Sequence, residues 1–195
     1  MTSSCLEPTS SVPPSPWVVR FLNGAAPGGR VLDVACGTGR HTRLALQRGL
    51  AVTAIDRDTS RLGEQSQRTD VEVITADLED GSAFPLAGRK FDAVIMTNYL
   101  WRPILPALFA TVAPDGLLIC ETFARGHEAL GRPSNPDFLL KPNELAEVAI
   151  GAGLVVMSFE QVREDQPWPR IVQRIAAVGP IHPWVVAPPN RASRL

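Results

Sequence analysis

Short apolar runs bounded by turn residues alternate along this chain with segments patterned for helices, and few architectures accept that order. Residues 30–35, 51–55, 71–75, 91–97 and 116–122 read as buried strands, because each is brief, apolar and closed by a turn. Ahead of them, Ser15-Pro16 supplies a cap hydroxyl and a proline at the first helical position, with Trp17, Val18, Phe21 and Leu22 on the apolar face. Further helices are predicted over about 40–48, from about Thr59, after Arg102 and over 143–150. Strands alternating with helices make a doubly wound, Rossmann-like α/β sheet. The end of the chain departs from the rule. Residues 154–162 and 171–178 read as two strands with no helix between them, which suits an antiparallel hairpin at a sheet edge.

The 195 residues fit one domain. Residues 1–14, rich in Ser, Thr and Pro, are expected to be a disordered arm, 15–178 the domain, and 179–195 a Pro-rich tail running over the surface. Residues 123–141 show no period and read as a long loop or small cap; loops of that length are uncommon unless functional. The net charge of −1 gives no general attraction to nucleic acid or anionic membrane. Cys5, Cys36 and Cys120 lack CxxC spacing and fit free thiols in a reducing compartment. With no long apolar stretch and no signal peptide, the expectation is a cytoplasmic protein without a membrane partner. His41, His127 and His182 have no metal-ligand spacing, so no metal is expected.

The first strand ends in Leu32-Asp33-Val34-Ala35-Cys36-Gly37-Thr38-Gly39-Arg40-His41-Thr42, which opens a helix as a nucleotide-binding glycine loop does. Gly37 and Gly39 let the backbone turn and a ligand approach closely. The dinucleotide pattern fails because Thr42 stands at the third glycine position, which disfavours a nicotinamide-dependent reductase. Asp33 at the loop mouth repels phosphate and suits an ammonium group. Asp56 ends the second strand, where a carboxylate can accept from ribose hydroxyls. Asp77-Leu78 ends the third, where the acid can accept from an adenine amino group and the leucine can pack on the ring. Each acid also has a plainer reading. Asp33 can anchor the turn, Asp56 can cap the next helix, although Asp58 is as good a cap, and Asp77 can be loop decoration.

This combination resembles the class I S-adenosylmethionine-dependent methyltransferases, most of all in Val31-Leu32-Asp33-Val34-Ala35-Cys36-Gly37-Thr38-Gly39, and the likeness spans about 15–178. The resemblance implies a seven-stranded sheet with the last strand antiparallel, and S-adenosylmethionine as cofactor with S-adenosylhomocysteine as product. It implies that Asp33, Ala35 and Gly37 line the methionine end, with Gly39 completing the loop. It puts Asp56 on the ribose, Arg57 beside the adenine, and Asp77 with Leu78 on the base. Asn98 and Tyr99 would touch the methionine part and face the acceptor. Within the family the chain is most similar to short tellurite-resistance-like bacterial enzymes.

Methyl transfer is an in-line displacement needing alignment and exclusion of water, with no covalent protein intermediate. Tyr99, Glu121 and His127 are the candidate catalytic groups, and His41, Trp101, Arg102 and Arg125 the candidate acceptor pocket. The aromatics around Trp101 can equally just cover the sheet edge. Thr97-Asn98-Tyr99-Leu100 is not the tetrapeptide that grips a flipped adenine, and no Pro-Cys nucleophile is present, so DNA is not the expected acceptor. The expectation is a small-molecule acceptor and a monomer or homodimer. An RNA or protein acceptor supplied by a partner, and a non-catalytic cofactor-binding module, stay open.

Overall fold

The computed structural model describes residues 12–190. Seven strands follow in chain order: β1 (Arg30–Val34), β2 (Ala51–Asp56), β3 (Val71–Thr75), β4 (Phe91–Thr97), β5 (Val112–Phe123), β6 (Val155–Glu164) and β7 (Arg170–Val178). They form one sheet in the order β3-β2-β1-β4-β5-β7-β6. The first five strands pair parallel, and β7 runs antiparallel to both β5 and β6. The helices are α1 (Pro16–Phe21), α2 (Arg40–Gln47), α3 (Leu105–Phe109) and α4 (Glu144–Gly151).

Successive strand residues point to opposite faces, so a central strand that is apolar throughout needs cover on both. Val31, Ile95, Leu117 and Ile119 pack beneath Trp17, Val18 and Phe21 of α1 and Ala45 of α2. Leu32, Val34, Val94, Met96 and Leu118 pack beneath Leu105, Leu108 and Phe109 of α3 and Leu145 and Ala149 of α4. The same alternation puts Asp33, Thr97 and Glu121 on the α1/α2 face. Cys36 and Cys120 are free and buried, and burial pushes both thiols well above the usual range.

Two expectations are corrected. Residues Thr59–Gln67 form short 3₁₀ turns broken at Gly63, whose φ of 58° and ψ of −135° interrupt any helix. The segment after β7 does not wander either. His182 is buried and its Nε2 lies 3.0 Å from the Gly24 carbonyl, while Trp184 packs edge-on to Phe21. A Cβ at Gly24 would collide with the Trp184 ring, so this glycine is what lets the segment dock. Residues 1–11 and 191–195, including most of the expected arm, lie outside the described residues. No helix among the described residues is long and apolar enough to cross a membrane.

Candidate active site

The chain turns sharply after β1 because three residues take left-handed backbone: Ala35 at φ 51°, Gly37 at 55° and Gly39 at 70°. Left-handed backbone costs a residue with a Cβ about 1–2 kcal/mol, so Ala35 holds local strain beside the ligand edge. The two glycines serve different ends. A Cβ on Gly39 would come within 2.7 Å of Leu62 Cδ2 and Gln65 Oε1, whereas one on Gly37 would meet nothing within 4 Å. Gly39 therefore permits packing, and Gly37 keeps the backbone open to an incoming group.

The three carboxylates differ in environment. Asp33 is buried and accepts from the Thr42 hydroxyl at 2.7 Å and from the Thr42 backbone N–H. Burial pushes its pKa up to about 6, against the pull of the Thr42 bonds and of Arg40. It ties the loop to the start of α2 and does not line the cleft described next. Asp56 accepts from Gly37 N–H at 2.8 Å through one oxygen and from Asp58 N–H at 3.0 Å through the other. Each oxygen keeps a lone pair for a ligand, and the carboxylate is held at a fixed angle. Asp58, by accepting from Ser60 N–H, is the cap that frees Asp56 from that duty. Asp77 accepts from Glu79 N–H at 2.9 Å in a tight turn.

A cleft of about 270 Å³ opens at the carboxyl ends of β1–β4, lined by Ala35, Asp56, Arg57, Arg61, Ala76, Asp77, Leu78, Glu79 and Tyr99. A second cleft of about 220 Å³ adjoins it, sharing Glu79 and Tyr99 and adding Asn98, Leu100, Thr122, Phe123, Pro133 and Phe138. The Tyr99 hydroxyl between them is shut off from solvent and, among the described residues, makes no hydrogen bond of ordinary geometry, with the Glu79 carboxylate beside it. Burial, and then the negative charge of Glu79, Asp77 and Asp56, raises its pKa well above the usual phenol value.

A methyltransferase-domain family matches residues 31–116. A demethylmenaquinone methyltransferase of Renibacterium salmoninarum is 30% identical over 166 residues, covering 80% of this chain and 68% of that one. The chain belongs to the class I S-adenosylmethionine-dependent methyltransferases. A malonyl-[acyl-carrier protein] O-methyltransferase of Serratia marcescens is also 30% identical, over 54% of this chain, but this chain spans only 42% of its length. Among solved structures, TehB from Haemophilus influenzae has a TM-score of 0.65 at 16% identity, covering 83% of this chain and 60% of that one. The glycopeptide N-methyltransferase MtfA with S-adenosyl-L-homocysteine gives 0.57 at 19%, covering 84% and 88%. At those identities the likeness is one of fold. It includes the seven-stranded sheet with β7 reversed.

Within this methyltransferase, Ala35, Asp56, Arg57, Asp77, Leu78 and Tyr99 meet in the first cleft, and Asn98, with φ 54°, meets Tyr99 in the second. The other candidates are employed elsewhere. His41 is buried, accepts from Ser15 N–H at 3.1 Å through Nε2 and sets Nδ1 3.4 Å from the Thr97 hydroxyl. Burial, reinforced by Arg40, lowers its pKa to about 3, so it is a neutral packing residue. Glu121 is only 1% exposed, accepts from the Ser15 hydroxyl at 3.1 Å and lies 3.6 Å from both Arg170 and Arg174. It lines neither cleft. His127 accepts from Ile171 N–H, approaches the Arg132 carbonyl at 3.0 Å and stacks on Phe123, so both nitrogens serve the backbone. Arg102 spends its guanidinium on Glu144 and on the carbonyls of Asp137 and Leu139. Trp101 packs against the α3/α4 core, and Arg125 is exposed.

Arg61, Glu79, Phe123, Pro133 and Phe138 were not anticipated. Glu79 had a signal, since Asp-x-Glu in a turn after a strand end puts a second acid on the ligand edge. Pro133 and Phe138 had none, because they arrive through the cap. Among the described residues no group of three or more His, Cys, Asp or Glu is arranged to hold a metal ion.

Proposed function

We propose that this protein transfers a methyl group from S-adenosylmethionine to a small-molecule acceptor. The observation that carries the reading is a pair of adjoining clefts that share Tyr99 and Glu79 on the ligand edge of the sheet. The first fits the cofactor. The two oriented oxygens of Asp56 suit a ribose diol, Asp77 with Leu78 suits an adenine amino group and ring face, and Gly37 leaves room for backbone approach. Asp33, by this reading, acts by shaping the loop that the methionine end meets. Bound S-adenosylmethionine supplies a methyl group on a positively charged sulfur, which a nucleophile displaces in line.

The chain's own contribution is alignment. A nucleophile in the second cleft would stand beside Tyr99 and Asn98, sheltered from water by Phe123, Leu100 and the Phe138 cap. Neither His127 nor Glu121 is disposed to take a proton there; Glu79 is the carboxylate that lines this cleft, so an acceptor that attacks as a neutral nucleophile and gives its proton to Glu79 or to water fits best. The cleft's size and its cover favour a small molecule. Relatives that act on demethylmenaquinone and on malonyl-[acyl-carrier protein] are consistent with low-molecular-weight groups as acceptors.

The test is calorimetric titration with S-adenosylhomocysteine, followed by transfer from methyl-labelled cofactor into a size-fractionated extract. Label in the small-molecule fraction supports the proposal. Label confined to RNA or protein overturns the acceptor class. Failure to bind S-adenosylhomocysteine overturns the reading altogether.

A further inference from the structure

The second cleft has a chemical bias that the methyl-transfer reading does not require. Its walls are the rings of Tyr99, Phe123 and Phe138 with Leu100 and Pro133. Phe123 is held by stacking on His127, with ring centroids 4.4 Å apart and planes 28° apart. Phe138 is held because Arg102 binds the carbonyls on either side of it, at Asp137 and Leu139, and is itself fixed by both oxygens of Glu144. These are preset surfaces of ring size, not adaptable loops.

Charge is one-sided. Among the described residues lining this cleft, Glu79 is the one that carries charge, and Asn98 and Thr122 add neutral polar groups. Asp56 and Asp77 stand behind it in the adjoining cleft. Arg57 and Arg61 line the far cleft only, Arg102 is saturated by Glu144, and Arg125 points to solvent. An anionic acceptor would leave water for a cleft whose described lining holds one acid and no cationic side chain, which is unfavourable. A cation would meet Glu79 and a wall built with three aromatic residues, a ring-rich lining that suits positive charge. The buried Tyr99 hydroxyl, where the two clefts meet, adds a neutral polar group.

We propose that this cleft selects a compact ring-bearing acceptor that is neutral or cationic and rejects anionic ones, with Glu79 as the residue that sets the charge preference. The proposal rests on the reading of the adjoining cleft as a cofactor site. The test uses the full chain saturated with S-adenosylhomocysteine and three probes on one ring system: tryptamine, tryptophol and indole-3-acetate, which are cationic, neutral and anionic at pH 7. Binding is followed by calorimetry. Tryptamine should bind about three- to tenfold tighter than indole-3-acetate, the scale of gaining one exposed ion pair and avoiding one exposed repulsion. Glu79→Gln should bring that ratio close to one, with a smaller change for tryptophol than for either charged probe. Glu79 is exposed, and unchanged thermal unfolding of the variant will show that its fold is intact. Phe138→Ala should weaken all three probes alike.

Equal or tighter binding of indole-3-acetate, an unchanged ratio in Glu79→Gln, or no binding of any probe overturns the proposal. Charge discrimination that persists in a protein unable to bind S-adenosylhomocysteine would sink the methyltransferase reading and leave the selectivity standing. The two failures are therefore distinguishable.

Discussion

Two carboxylates of one residue type carry different burdens here. Asp56 is half-exposed, oriented by two backbone N–H groups and turned to the cleft. Asp56→Ala removes two charge-assisted acceptors and should weaken S-adenosylhomocysteine binding roughly thirtyfold, about 2 kcal/mol, as read by calorimetry. Full affinity in that variant would end the ribose assignment. Asp33 is buried, and its pKa is raised from 3.8 to about 6. Between those values the unfolded chain has lost the proton that the folded chain keeps, so this group's contribution to stability falls as pH rises and levels off above about 6. The size is on the order of 2–3 kcal/mol. Asp33→Asn keeps an acceptor for Thr42 and removes the dependence. Its stability relative to wild type should grow from pH 4 to pH 6 and then stay constant, in urea unfolding at a series of pH values.

At the scale of an element, the glycine loop separates two demands that look alike in sequence. Gly37→Ala and Gly39→Ala both place a Cβ at positive φ, but only the second drives it into Leu62 and Gln65. Gly37→Ala should cost about 1–2 kcal/mol of unfolding free energy and Gly39→Ala about 2–4, because overpacking adds to the backbone term. Equal costs in denaturant titrations would mean that the 59–67 turns yield freely. The cap is the other element with a named support. Arg102→Met removes its links to Glu144, Asp137 and Leu139 and should cost about 1–2 kcal/mol, since the pair is partly exposed. Faster amide exchange at Phe138 and Leu139, the amides of the 3₁₀ turn, would confirm that the loss is local to the cap.

Across the whole molecule, the α1/α2 face is closed by polar groups drawn from distant parts of the chain. Ser15, His41, Thr97, Glu121, Arg170 and Arg174 meet there, and Arg174 also lies over the Trp17 ring at 4.9 Å. On the same side of the sheet, Glu160 and Glu164 stand directly opposite Arg174 and Arg170 on the neighbouring strand, which fixes the β6–β7 register. His41 gives the assembly a pH response. Its folded pKa of about 3 lies below the unfolded 6.5, so its contribution is complete above about 6.5 and declines as pH falls. This runs against Asp33, whose contribution improves as pH falls from about 6 to 4. The wild-type stability curve between pH 4 and 6 should therefore be flatter than that of either single variant. Asp33→Asn should steepen the loss toward acid, and His41→Asn should reverse it into a gain.

Much of this was readable from local pattern. Apolar runs of strand length closed by turns announced a doubly wound sheet, and the Val31–Gly39 segment with acids at later strand ends announced the methyltransferase family. Those signals are short-range, because a strand end and the turn beyond it lie within a few residues of each other. Side-chain partnership is different. Whether His41, Glu121, His127 and Arg102 face a ligand or the protein depends on what arrives from Ser15, Arg170, Ile171 and Glu144, many residues away. A titratable side chain at a strand end looks catalytic in one dimension. Only packing decides whether its hydrogen-bonding capacity is already spent, because buried polar groups take whatever partners the fold brings them. The acceptor cleft follows the same logic: Phe138 and Pro133 enter it through a cap whose position is set by Arg102, and no period in residues 123–141 foretells that.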